Sequence, residues 1–215
     1  MMGERPGNIT LAAVEADPPI QMLCVNVVTA LNEKKEQEIL LLSMLSNSAS
    51  YMENPSTDLK AFRRMSVLRN HPSGTSLPSD IHKNLEENKL NDKVKIVETE
   101  KELLEIFLNH LKKKAESDPD CFVGHDLQAM FTMLLVRCEK HKLDTSRISR
   151  LRRLSQLRQT CSRAAQWEIT AGRLVLDSRS AAMELLPSRN YGLSDLCKAI
   201  LGKERSELHP HDVEE

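Results

Sequence analysis

The sequence predicts an α/β fold in which a mixed β-sheet is flanked by helices. Three observations lead there. A β-branched, apolar stretch, Ile20–Leu31, follows a Pro-Pro stop, and a second apolar run, Ile39–Leu45, comes after a polar connector. Beyond residue 92, short apolar runs alternate with stretches of helical period. Antiparallel strands followed by alternating β and α segments can bury their apolar faces only as one mixed sheet with helices against it.

Taken in order, Ile20–Leu31 and Ile39–Leu45 read as a hairpin, although the leucines of the second run also suit a helix. Residues 46–92 are polar and broken by Pro and Gly. They are expected to form a long surface insertion with one helical turn around Leu59–Leu68. Lys93–Glu98 alternates polar and apolar residues, as a half-buried strand does. Thr99 and Glu102 have the spacing of a capping box. Leu103, Leu104, Phe107, Leu108 and Leu111 then make one helical face, with lysines at 112–114 suited to the helix C-terminus. Cys121–Gly124 is the next strand. Leu127, Met130, Phe131, Leu134, Leu135 and Cys138 share a face of the following helix. Residues 145–163 are arginine-rich, with a thin apolar stripe at Ile148, Leu151, Leu154 and Leu157. Ala171–Asp177 reads as a strand, the segment from Ser180 as a short helix closed by Pro187, and the segment from Gly192 as a last helix capped by Gly202. The expected layout is a tail over 1–18, a domain over 19–205 and a C-terminal tail over 206–215, in a fragment of something larger. Ribonuclease-H-like folds have this order of elements, and so do several others.

Composition narrows the function. Aromatic residues make up 3% of the 215 residues, so aliphatic side chains must fill the core. A net charge of −1 excludes a general polyanion binder, and any nucleic-acid contact must come from a local patch. Five cysteines (Cys24, Cys121, Cys138, Cys161 and Cys197) are odd in number and widely spaced, without a CxxC pair. This argues against a disulfide framework and a zinc site, and for a reducing compartment. The N-terminus lacks the pattern of a signal peptide, and no apolar stretch reaches membrane-spanning length.

The stretch with most chemical interest is DCFVGHDLQAMFTMLLVRC, Asp120 to Cys138. A strand that runs into His125 and Asp126 at the mouth of a helix is a place where metals and phosphates are held. The plainer reading is that Asp126 caps the helix. Phe131 reads as core, and Asn26 and Val28 as buried sheet residues. Arg147, Arg150, Arg152 and Arg153 open the basic segment. They suit either a solvated face or contact with nucleic-acid phosphates, and without interleaved aromatics they do not suit base stacking. The tetrapeptide RRLS (Arg152–Ser155) resembles a basic-directed kinase site, a pattern that arises readily by chance, and the histidines of HPH (His209, His211), which can pick up metal adventitiously, read as part of a frayed terminus.

Four segments together resemble the 3′–5′ exonuclease domain of family B DNA polymerases, and most closely its alpha branch. They are PPIQMLCVNVVTALNEKKEQEI (18–39), VETEKELLEIFLNHLKKKAESDPDCFVGHDLQAMFTMLLVRCEKHKL (97–143), RISRLRR (147–153) and AGRLVLDSRSAAMELLPSRNYGLSDLCKAIL (171–201). Active members hold two divalent metals with four carboxylates. The resemblance sets their Asp-x-Glu on Asn26, Val27 and Val28, and their Asn-x-x-x-Phe-Asp on Asp126 to Phe131. A third motif, with Tyr and Asp, would lie beyond residue 215. The resemblance therefore implies a degenerate exonuclease site without metal or catalytic residues. It implies a parent nucleotidyltransferase that extends RNA primers with deoxynucleotides, using Mg²⁺ in palm motifs outside this chain. The implied partners are DNA, the RNA–DNA primer duplex, other polymerase domains, primase and accessory subunits. The implied location is the nucleus, away from membranes.

Two alternatives stay open. One is an active nuclease with rearranged ligands among Glu168, Asp177, Glu184 and Asp195. The other is a protein-interaction module acting through residues 46–92 or the basic segment.

Overall fold

The computed structural model describes residues 20–50, 62–71, 77–111, 118–151 and 169–205. Its elements are β1 (Ile20–Leu31), β2 (Gln37–Ser50), β3 (Arg63–Arg69), α1 (Ile81–Glu87), β4 (Val94–Val97), α2 (Glu100–His110), β5 (Cys121–Gly124), α3 (Leu127–Lys140), β6 (Leu174–Asp177), α4 (Ser178–Leu185) and α5 (Leu193–Leu196). The last helix continues as a π turn, Cys197–Leu201, and closes on Gly202, which takes the left-handed backbone at φ 62°.

The strands form one sheet in the order β4-β3-β2-β1-β5-β6. β2 is antiparallel to both of its neighbours, β1 and β3, whereas β5 runs parallel to β1 and β6 parallel to β5. This is the expected α/β architecture, a ribonuclease-H-like mixed sheet, with β4 added parallel to β3 at the far edge. The β1–β2 turn is built on Asn32, whose side-chain carbonyl accepts from the N–H groups of Lys34 and Glu36, both at 2.9 Å. Among the described residues, no helix is long and apolar enough to cross a membrane.

The period of two along the strands selects one face for the core. Leu23 and Val25 of β1, Leu42 and Met44 of β2, Val67 of β3 and Phe122 of β5 form a single buried cluster with α2 and α3. Helix α2 contributes Leu103, Leu104, Phe107 and Leu108. Helix α3 contributes Leu127, Phe131, Leu134, Leu135 and Cys138. Burial pushes the Cys138 thiol up to about 12, helped by the Glu100 carboxylate, so this cysteine behaves as a small hydrophobe. At Gly124 a Cβ would stand 2.4 Å from Leu127 Cδ2 and 3.4 Å from the Val25 carbonyl oxygen. The β5–α3 junction thus needs the missing side chain.

The reading of residues 46–92 as a surface insertion is corrected. β2 extends to Ser50, and Arg63–Arg69 is not a helical turn but β3, an interior strand paired with both β2 and β4. Its inward residues are Met65 and Val67, and the arginines on either side hide that alternation in the sequence. Residues 51–61 and 72–76 lie outside the described residues, as do the expected tails. The Ile39–Leu45 run is a strand rather than a helix because its alternate residues face the core.

A buried ionic network ties the helices to the hairpin. Glu100, 3% exposed, opens α2 and accepts from Arg137 Nε (2.9 Å) and Nη2 (2.5 Å), from the Ile39 backbone N–H (2.7 Å) and from His141 Nε2 (2.8 Å). Arg137 also meets Glu38 at 3.1 Å, and Glu38 meets Arg69 at 2.6 Å. Burial alone would raise the Glu100 carboxyl. The hydrogen bonds from Arg137, Ile39 and His141 more than offset it and hold the group below its usual value of 4.5. A carboxyl lowered on folding contributes stability above its unfolded pKa and loses that contribution as pH falls through the folded one.

Three outcomes follow for urea unfolding. Arg137→Ala strands a buried carboxylate and is expected to cost about 3–5 kcal/mol, whereas the double change Glu100→Leu with Arg137→Leu costs far less. The wild-type chain should lose stability below about pH 4.5, and the double variant should lose less over the same range. Gly124→Ala should cost about 1–3 kcal/mol through the overlap with Leu127.

Candidate functional site

Parallel pairing brings the C-terminal ends of β1, β5 and β6 to one end of the sheet. Cys24 is opposite Val123, and Gly124 is opposite Asp177, so Asn26, His125–Asp126 and Asp177–Ser178 lie at that same end. Asn26 is opposite Ser43 of β2 and is exposed, and Val28 is half-buried. The expectation that both are buried is corrected. They alternate with Leu23 and Val25 and so face away from the core formed by α2 and α3.

Asp126 does not cap α3 with its side chain. It sits at the N-cap position in the left-handed conformation, φ 55° and ψ 48°, with no side-chain cap bond. An N-cap side chain normally accepts from an extended backbone, and Asp is one of the few residues that tolerate the left-handed one. The cap comes from β6 instead. Asp177 Oδ1 accepts from Asp126 N and Oδ2 from Leu127 N, both at 2.9 Å. Asp177 Oδ1 also accepts from Arg179 N at 3.0 Å, which caps α4. One carboxylate therefore closes two helix N-termini, where the positive ends of both helix dipoles favour it. The freed Asp126 side chain accepts from Arg179 Nη1 at 2.6 Å. His125 Nδ1 and Ser178 Oγ are 3.0 Å apart and complete the cross-link between the two junctions.

Phe131 is 1% exposed. It packs edge-on against Phe122, with ring centroids 5.3 Å apart and planes at 77°. It is part of the core and presents no polar atom to the strand ends. Beside the junction an open groove of about 460 Å³ is lined by Gln37, Asp126, Gln128, Ala129, Thr132, Met133 and Val136. Its one ionisable side chain is Asp126, already paired with Arg179.

The basic segment begins at the opposite end of the sheet. Arg150 meets Asp120 at 2.6 Å and Asp118 at 3.4 Å. Arg173 meets Asp118 at 2.6 Å, donates to the Ile148 carbonyl at 2.9 Å and stacks over Phe122. Burial would raise the Asp120 carboxyl, but the Gln21 N–H and the Arg150 guanidinium hold it below its usual range. Arg147 is 3.9 Å from Asp144. Arg152 and Arg153 lie outside the described residues, as do Ser155, Glu168, His209 and His211.

The residues described at these strand ends do not fit a two-metal site. Hard divalent ions need several convergent oxygen ligands. Here Asp177 is committed to three N–H donors, Asp126 faces a guanidinium, and Phe131 is apolar and buried. Among the described residues, no three of His, Cys, Asp and Glu converge as a metal site. That bears on the rearranged-ligand alternative, whose Asp177, Glu184 and Asp195 are all described. Asp177 and Arg179 hold the junction together, yet the sequence reading offers Asp177 only as a rearranged metal ligand and does not single out Arg179. An Asp that ends an apolar run before a helix is a cap signal for its own helix. That it also caps a helix fifty residues earlier is visible only once β5 and β6 are neighbours.

Sheet order, crossover helices and strand-end motif positions define an exonuclease-like domain of the ribonuclease-H-like class. Residues 6–196 match the family described as DNA polymerase family B, exonuclease domain, and the chain belongs to that family. It is similar to the DNA polymerase alpha catalytic subunits of Sterkiella nova (29% identity, 87% of this chain, 13% of the relative), Xenopus laevis (28%, 97% and 14%) and Mus musculus (29%, 95% and 14%). The chain thus spans about one seventh of the length of these relatives.

Removing the shared cap should be felt far more than removing the exposed ion pair. Asp177→Ala is expected to cost about 2 kcal/mol, since it uncaps two helices. Asp126→Ala should cost less than about 1 kcal/mol. Urea midpoints at constant slope test both.

Proposed function

We propose that this chain is the exonuclease-like domain of an alpha-type replicative DNA polymerase, and that it has no nuclease activity of its own. The observation that carries the reading is Phe131. It stands where active relatives are expected to place a metal-binding Asp, and it is buried edge-on against Phe122. Asn26 and Val28 take the places of the first-motif carboxylates on the resemblance set out above. The domain then acts as a structural element beside the polymerase domains, and the carboxylates and Mg²⁺ for DNA synthesis belong to the parent enzyme. DNA, an RNA–DNA primer duplex, primase and accessory subunits are partners of that parent, and the nucleus is its location. Template contact by the basic segment does not fall to Arg150 without the loss of its pairs to Asp118 and Asp120.

The test is incubation of the folded chain with 5′-labelled, 3′-mismatched single-stranded DNA and Mg²⁺ or Mn²⁺. The expected outcome is a strand of unchanged length. Shortening that follows the protein through purification and stops with EDTA would overturn the reading and show that other carboxylates make a live site.

A further inference from the structure

With a net charge of −1 on the whole chain, contact with a polyanion needs a local excess of positive charge. The sequence places that excess in the arginines from residue 147, but Arg150 and Arg173 are paired with Asp118 and Asp120. The fold assembles a different one. Arg63 and Arg64 open β3, Lys89 and Lys93 lie on the turn into β4, and Lys95 lies on β4 itself. All five are exposed, and the one acidic side chain within residues 62–66 and 89–95 is Asp92. Parallel pairing joins the two segments. Lys95 is opposite Val67, and the Ser66 N–H donates to the Lys93 carbonyl at 2.7 Å.

Among the described residues, no ion pair engages Arg64, Lys89, Lys93 or Lys95. The guarding of an open sheet edge accounts for Lys93 and Lys95. It does not account for Arg64, on an interior strand, or for Lys89, which takes the left-handed backbone at φ 53° just past the end of α1. The surroundings decide which partner suits these cations. None of the ten large apolar side chains exposed among the described residues falls on residues 62–71 or 77–97. A protein interface has an apolar core inside its polar rim, and this corner lacks one. A phosphate backbone needs only the charge.

We propose that the corner where β3 and β4 begin is a contact surface for the phosphate backbone of a nucleic acid, with Arg64, Lys93 and Lys95 at its centre. The choice of a nucleic acid rests on the reading of the preceding section, which puts the domain in a DNA-synthesising enzyme. The surface itself is separate from the degenerate exonuclease site. It lies at the N-terminal ends of β3 and β4, whereas Asn26, Asp126 and Asp177 lie at the other end of the sheet, towards or on the strands of its opposite edge. Contacts of this kind position a strand and carry no sequence information, so binding is independent of base sequence.

The experiment follows binding of the chain to short fluorescein-labelled DNA duplexes of two unrelated sequences by anisotropy, over a range of salt concentrations. It compares the wild type with Arg64→Gln/Lys93→Gln/Lys95→Gln and with Lys34→Gln/Lys198→Gln/Lys203→Gln, which removes the same charge elsewhere. The wild type and the control should bind both duplexes alike. The corner variant should bind at least about 10-fold more weakly at low salt, and its slope of log K against log salt should be smaller by about 3. Its urea midpoint should stay unchanged, because the three side chains are exposed and make no ion pair. An equal loss in both variants would make net charge the only driver and overturn the surface. Failure of the wild type to bind at low salt would also overturn it, while the reading as an inactive exonuclease-like domain fails only if the labelled strand is shortened. Poly-glutamate that competes as well as the duplex at equal charge concentration would assign the corner to an acidic protein segment and overturn the proposal.

Discussion

The Glu100–Arg137 pair is the constraint around which the helical layer is arranged. It lies at the first residue of α2 and near the last turn of α3, and through the Ile39 N–H it also holds the start of β2. Glu38 and Arg69 extend it to β3. A buried pair of this kind is weak evidence of net stability, because its attraction is spent largely on desolvation. Its effect is on geometry. A carboxylate with four donors around it has one comfortable position, and α2, α3 and the hairpin must share it. With α3 positioned in this way, its N-terminus meets the ends of β5 and β6.

At those strand ends the carboxylates serve helix ends. Asp177 would be a natural oxygen ligand, but it is saturated by backbone N–H groups of α3 and α4. Asp126 is turned outward by its left-handed backbone and neutralised by Arg179. The fixed positive charge near the carboxylates is supplied by helix dipoles and a guanidinium, neither of which can activate water. The aromatic pair Phe122–Phe131 then fills the space behind, where polar atoms would be costly to bury.

Much of the sheet was legible in the sequence, and the reasons are local. Ile20–Leu31 and Cys121–Gly124 are apolar runs with clear stops, and the helix faces of α2 and α3 follow a plain period. Thr99 does accept from Glu102 N, at 3.2 Å, as the capping box predicts, although the Glu102 carboxylate reaches the N–H of Glu98 rather than that of Thr99. β3 was not legible, because its inward pair Met65 and Val67 is embedded among arginines and serines in a Pro- and Gly-broken stretch. The network around Glu100 and the shared cap of Asp177 were not legible either. Both join residues 37 to 61 positions apart, or 50 and 51, and no local pattern records such partners. Asn26, Val28 and Phe131 carry no carboxylate, which the sequence states by itself, whereas Asp177 as a shared helix cap and Arg179 as the partner of Asp126 had to be seen in the fold.

The two ends of the parallel strands divide the charged groups between them. The N-terminal end gathers Asp118, Asp120, Arg150 and Arg173 into mutually satisfied pairs, and the C-terminal end gathers Asp126, Asp177 and Arg179 in the same way. In both places arginines neutralise carboxylates that an ion-binding or phosphate-binding surface would leave free. Most of the large apolar side chains left exposed among the described residues lie instead along β6, α4 and the last helix. The parallel register of β1, β5 and β6 decides which strand end each of these charged groups occupies, and so keeps the two sets apart.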